Sequence, residues 1–345
     1  MIFLSPGEPD LNRVRGSTGA FYWWYLDMVD AEGNGLVAIW SAGLPLLPGD
    51  HATIVPEQDP SLNLAIYRNW QPDFYLLQRH AAADASWGTP LQMGKNRLHC
   101  RPGEVVLEVD SPIPGEKGRV QGEVRITGTP VTGVDGERGL LGPHRWGPVL
   151  APARGTAKLD LAGRSFSLEG RAYHDSNQCE RPLDQLGISH WLWGRVSLPD
   201  RERIWYLVWP KGEEKPIFLD MEVGADGLLQ SRSVRPELGS ARRDRWGMPW
   251  WEGLKLPGLH VHRWDIVDRG PFYLRFLIEA EGEGGRGHGY AEVVDPDRVN
   301  LPWMKSLVGM RIHTLQQRNS PMVGWFNGPV DGRYNRLWSM LMGSP

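Results

Sequence analysis

The stretch "GTAKLDLAGRSFSLEGRAYHDSNQCERPL" (residues 155–183) contains both halves of a β-hairpin. "GTAKLDL" and "SFSLEGRAY" alternate apolar and polar residues around the turn tripeptide "AGR", and a period of two is the mark of a half-buried strand. The second run then meets Asp175, Ser176 and Asn177, residue types that favour turns and caps over strands. The spacing therefore predicts a strand that ends near Tyr173, with Tyr173, His174, Asp175 and Asn177 crowded at its end. Two readings fit this crowding: a turn closed by its own side-chain hydrogen bonds, or a polar site at the mouth of an apolar pocket.

The same pattern recurs along the chain. "AFYWWYLDMVD" (20–30) pairs with "LVAIWSAG" (36–43), "LNLAIYR" (62–68) with "DFYLLQR" (73–79), and "EVVLEVD" (104–110) with "GRVQGEVRITG" (118–128). Further on, "SHWLWGRVSL" (189–198) pairs with "RIWYLVWP" (203–210), and "IFLDMEV" (217–223) with "GLLQSRSV" (227–234); "LHVHRWDIV" (259–267), "FYLRFLIEAEG" (272–282) and "GHGYAEVVD" (287–295) complete the series. Only 301–312 and 334–342 have the makings of short helices. Many short strands in hairpins must close or pack to hide their edges. The fold class is therefore all-β, with two consecutive antiparallel barrels. The break falls near "CERPLDQLG" (179–187), giving domains over 1–183 and 184–345, the first of them carrying the polar cluster.

Composition narrows the function. A chain of 345 residues with 41% hydrophobic and 23% charged residues builds sizeable cores. A net charge of −3, with cations and anions interspersed, offers no basic face for nucleic acid. The start "MIFLSPGEPDLNRVRG" lacks the basic segment and the apolar length of a signal peptide, and no run reaches the roughly 18 apolar residues of a membrane span. Two cysteines, Cys100 and Cys179, without metal spacing read as free thiols of a cytoplasmic protein. Tryptophan stands out, with 17 against 8 phenylalanines, and suggests an aromatic-lined cavity for a large apolar or cationic ligand. Barrel interiors and interdomain seams would use tryptophans equally well.

Motifs of nucleotide and serine-hydrolase enzymes are absent, and "GEGGRGHG" (282–289) lies between strands as a hairpin tip. His260 and His262 share a strand face, but two imidazoles without a third ligand do not make a metal site, and none is assigned. "HRW" and "YHD" are more informative. His144 with Trp146, and Tyr173 with Asp175, are each two apart and so face the same way on a strand. If both strands face one cavity, these side chains can do acid chemistry without a cofactor. An Asp among aromatic rings loses solvation of its charged form and becomes a general acid, while ring faces stabilise a cation. A Tyr–Asp–His network that only staples strand ends fits the same pattern.

In order, "WWYLD" (23–27), "HRWGPVLAPARGTAKLDL" (144–161), "GRAYHDSNQCERPL" (170–183) and "HWLWGR" (190–195) resemble the carotenoid 1,2-hydratase, or hydroxyneurosporene synthase, family over most of the chain. The resemblance implies two tandem lipocalin-like β-barrels and cofactor-independent addition of water to the terminal double bond of an acyclic carotenoid. It also implies catalytic roles for His144, Trp146, Tyr173 and Asp175, with Asp175 as proton donor and His144 handling the water. Trp23, Trp24, Tyr25, Asn177, Trp191 and Trp193 are assigned to substrate binding; His174 falls on the opposite face and is set aside. The architecture is shared with fungal cyclases of polyenes, so a cyclase on the same cavity, or a carrier of a hydrophobic ligand, are the alternatives. A polyene substrate resides in a bilayer, so transient membrane contact is expected although no amphipathic anchor is evident. The loop "RWGMPWWEGLKLPG" (245–258) reads as that contact, as a lid, or as packing between the domains.

Overall fold

The computed structural model describes residues 2–4, 11–44, 46, 53–115, 117–133, 144–232 and 235–330. Strands dominate, in two large sheets and one two-stranded ribbon. Each large sheet curls into a half-barrel, the lipocalin-like architecture expected. The first sheet centres on Phe21–Val29, Ser165–Cys179 and His144–Leu161, which are neighbours in that order. On one side it continues through Gly35–Ala42, Pro60–Arg68 and Gln71–Arg79. On the other it runs through Arg119–Pro130 and Glu104–Pro112 to Asn96–Arg101, Leu91–Met93 and Ala85–Trp87. The second sheet centres on Arg201–Pro210, Ile188–Ser197, Gly285–Val294 and Tyr273–Gly282.

Alternation along these strands sorts side chains into three cores. Tyr22, Trp24, Leu26 and Met28 fill the hollow of the first sheet. Leu192, Val196, Phe276 and Ile278 fill the second. The other faces of the same strands meet in a seam built from Phe21, Tyr25, Val29, Trp146 and Tyr173 against Trp191, Trp193, Tyr206 and Tyr290. Close approach is required there: a Cβ at Gly35 would sit 2.0 Å from the Tyr290 hydroxyl, which donates to the Met28 carbonyl at 3.1 Å.

The hairpins sit where the alternation places them, and a helix at Met304–Arg311 falls within the expected 301–312. The 334–342 segment lies outside the described residues. Two expectations fail. The short strands between 85 and 101 carry no long alternation and are missed. The strand after "AGR" does not end near Tyr173 but runs on to Cys179. It is central, hydrogen-bonded to 21–29 on one side and 144–161 on the other, with Asp175 opposite Tyr25 and Asn177 opposite Trp23. Two paired edges satisfy the backbone and override the turn preference of Asp, Ser and Asn. The Trp-rich loop packs on the second sheet's core, with Trp251 stacked on Trp209 at 4.9 Å and Trp246 on Trp303 at 5.8 Å.

Candidate active site

Continuation of the strand through Asp175 and Asn177 puts both side chains on the seam face. His144 and Trp146 reach the same face from the neighbouring strand, where Trp146 is paired with Asn177 and Pro148 with Asp175. Pairing shifts register between Pro148 and Ala153; proline offers no N–H to the ladder, and such irregularities re-aim side chains beside sites. Four side chains then join in one hydrogen-bonded line. His144 Nε2 donates to Asn177 Oδ1 at 3.1 Å, Asn177 Nδ2 donates to Asp175 Oδ1 at 3.1 Å, and Trp146 Nε1 donates to Asp175 Oδ2 at 2.8 Å.

Asp175 is 2% exposed, and burial holds its carboxyl well above the ordinary carboxylate range. The Trp146 N–H bond and the nearby Tyr173 hydroxyl pull the other way, while the negative charges of Asp27 and Glu292 add to the effect of burial. Its donors are neutral, and no cation is bonded to it among the described residues. Burial without a cation favours the neutral, proton-bearing form of a carboxyl. Burial also pushes His144 down to about 3, so its ring is neutral, which suits the Nε2–H that Asn177 accepts.

A cavity of about 170 Å³ opens beside this line, between the two sheets and the 304–311 helix. Trp23, Tyr25, Trp146, Asp175, Asn177, Trp191 and Trp193, all expected at the site, line it. Three expected residues do not. Trp24 is corrected to the core of the first sheet, because in a strand its side chain must oppose those of Trp23 and Tyr25. Tyr173 lies in the seam beneath the cavity, its ring 5.9 Å from Trp193 and its hydroxyl near Asp175 without a hydrogen bond of ordinary geometry. His144 is behind Asn177, 1% exposed, and does not reach the cavity. His174, set aside in the sequence, is bonded through Nδ1 to the Tyr25 carbonyl at 2.9 Å.

The second sheet supplies a wall that the sequence did not reveal. Arg275 donates through Nε to Glu292 Oε1 at 2.7 Å and through Nη1 to the Tyr67 hydroxyl at 3.0 Å; Tyr25 donates to the same Glu292 oxygen at 3.4 Å. Arg311 lies over the Tyr75 ring at 4.4 Å and pairs with Asp268 at 3.4 Å. The available signal was a charged residue inside an apolar strand: Arg275 in "FYLRFLI" and Glu292 in "YAEVV". His260 and His262 are exposed with rings 6.0 Å apart, and among the described residues no cluster of three metal-ligating side chains forms.

Two curled antiparallel sheets packed on a shared aromatic seam define a two-sheet, lipocalin-like protein. The fold matches that of an AttH protein from Nitrosomonas europaea, with a TM-score of 0.61 at 14% identity, covering 84% of this chain and 99% of that one. It also matches kievitone hydratase from Nectria haematococca, with a TM-score of 0.51 at 11% identity, covering 85% and 98%. The chain belongs to the carotenoid hydratase CrtC family, whose model matches residues 52–320. An acyclic carotenoid 1,2-hydratase from Rubrivivax gelatinosus is 30% identical over 319 residues, 83% of this chain and 73% of that protein. The protein is accordingly an enzyme of the hydro-lyase class. Among the described residues no helix is long and apolar enough to cross a membrane.

Proposed function

We propose that this hydratase adds water, without a cofactor, to the terminal trisubstituted double bond of an acyclic carotenoid or a related isoprenoid. Asp175 carries the reading: a buried carboxyl, held by the neutral donors Trp146 and Asn177, on the wall of an aromatic cavity. Asp175 gives its proton to the less substituted alkene carbon, so the positive charge falls on the tertiary carbon. The Trp146, Trp193 and Tyr206 rings, which line the same cavity, stabilise that cation through their faces. Water captures the cation and a tertiary alcohol results. As Asp175 ionises, the Trp146 N–H and the Asn177 amide stabilise the new carboxylate.

His144 acts through Asn177: its Nε2–H fixes the amide so that Nδ2, not Oδ1, faces the carboxyl. Tyr173 supports Asp175 from below the cavity. Two domains, 1–183 and 184–345, remain our division of the chain, with the site at their junction. A carotenoid would be drawn from a bilayer, and transient contact there is part of the proposal. Leu301 and Trp303, 37% and 46% exposed, precede the helix whose Val308 lines the cavity, with Ile312 just past its end lining it too.

The test is turnover of an acyclic carotene by purified Asp175→Asn, followed by product mass. An acid catalyst contributes about 10²- to 10⁴-fold, so alcohol formation should fall by at least that factor with folding intact. Retained hydration would remove Asp175 as proton donor.

A further inference from the structure

With His144 out of the cavity, the seam needs another group to handle the water. Three residues stand abreast on the opposite wall: Trp193, Glu292 and Arg275 are direct partners across the strands 188–197, 285–294 and 273–282. All three line the cavity that Asp175 also lines. Glu292 uses only Oε1 for its partners, taking Arg275 at 2.7 Å and Tyr25 at 3.4 Å. Among the described residues Oε2 has no hydrogen bond, and the side chain is 17% exposed, toward the cavity it lines. Beside it, the Trp193 indole N–H is buried without a partner among the described residues. A free carboxylate oxygen and an unused donor in one cross-strand pair are what a bound water needs, since such waters hold two to four polar partners.

We propose that Glu292 is the catalytic base that binds the attacking water through Oε2 and takes its proton, facing the acid Asp175 across the cavity. The assignment rests on the hydration reading above. The Asp175 O–H bond breaks as the alkene π pair forms the new C–H bond, leaving the tertiary cation. A water lone pair then forms the C–O bond, one water O–H bond breaks, and that proton passes to Oε2 of Glu292. Alkene and water are consumed and alcohol is formed without oxidation or reduction. The resting state returns when Glu292 releases its proton to solvent and Asp175 takes one up. The two carboxyls have opposite surroundings, Asp175 among neutral donors and Glu292 ion-paired to Arg275, which is how paired carboxyls divide acid from base.

The experiment uses the full chain and an acyclic carotene in D₂O, measuring by mass spectrometry both alcohol formed and deuterium gained by unreacted alkene. A cation that escapes capture returns to alkene by losing a proton and retains deuterium, so exchange reports protonation alone. Glu292→Gln, which still accepts from Arg275, should lose about 10²- to 10⁴-fold in alcohol formation. It should keep exchange within about tenfold of wild type, and Asp175→Asn should lose both. Alcohol formation by folded Glu292→Gln at the wild-type rate overturns the assignment, as does equal loss of alcohol and exchange. If that variant does not fold, Glu292→Asp decides: its alcohol-to-exchange ratio should shift at least tenfold toward exchange, and an unchanged ratio overturns the role. A wild type that forms neither product removes the hydration reading and this assignment with it.

Discussion

Two aspartates on neighbouring strands of one sheet are buried in the same seam and have opposite fates. Asp27 lies opposite Tyr173, and Asp175 lies opposite Tyr25, in a single ladder. Asp27 crosses to the second sheet and meets Arg195, which binds both its oxygens and also pairs with Glu202 at 3.2 Å. Ser197 closes this cluster by donating to Glu202 at 2.6 Å. Among the described residues the hydrogen bonds to Asp175 come from an indole and an amide, with no cation. Burial raises both carboxyls, but the Arg195 charge pulls Asp27 back, whereas Asp175 goes well above its ordinary value. Depth alone does not make a catalytic acid. A cation is what separates the two, and one strand pair here builds an Arg-paired carboxyl and, in our proposal, a proton-donating one from the same residue type.

The largest effect is expected on the Asp27 side. Arg195→Met leaves Asp27 and Glu202 buried without their cation, and should cost about 3–5 kcal/mol in denaturant unfolding. A neutral outcome would remove the ion pair from the comparison. On the Asp175 side the sign is reversed and depends on pH. Its pKa is raised by folding, so the unfolded chain loses this proton first. The stability it contributes is present in full below the unfolded value near 3.8 and is lost as pH rises toward the folded value, at up to about 1.4 kcal/mol per pH unit. Asp175→Asn should therefore gain on wild type between pH 4 and neutrality while losing activity; parallel stability curves would show that Asp175 is not held protonated. The smallest effect should come from Trp146→Phe, which keeps a ring but removes the N–H to Oδ2. A loss of about 1 kcal/mol in stability is expected, with a further rise of the Asp175 pKa seen as a shifted alkaline limb in the rate profile. An unshifted limb would mean that the indole bond does not tune the acid.

Much of this was written in alternation. The hairpins, the all-β class and the shared faces of His144 with Trp146 and Tyr173 with Asp175 follow from a period of two. The same rule, applied strictly, places Trp24 away from Trp23 and Tyr25, in the core of the first sheet. What alternation could not give was which face of a strand is the hollow and which the seam, because both are apolar. That ambiguity hid the cavity's place between the sheets. It also hid Arg275 and Glu292, which reach Asp175 only through the packing of one sheet on the other. The strand end at Tyr173 was misread because residue preference speaks only for an unpaired segment. Two neighbouring strands supplied what Asp175, Ser176 and Asn177 lack.

The central claim is that Asp175 rests protonated, and infrared difference spectroscopy of wild type against Asp175→Asn at neutral pH tests it most directly. The account predicts a protonated-carboxyl C=O band in wild type that is absent from the variant and fades only well above the ordinary carboxylate range. A difference spectrum showing loss of an ionised carboxylate instead would contradict it.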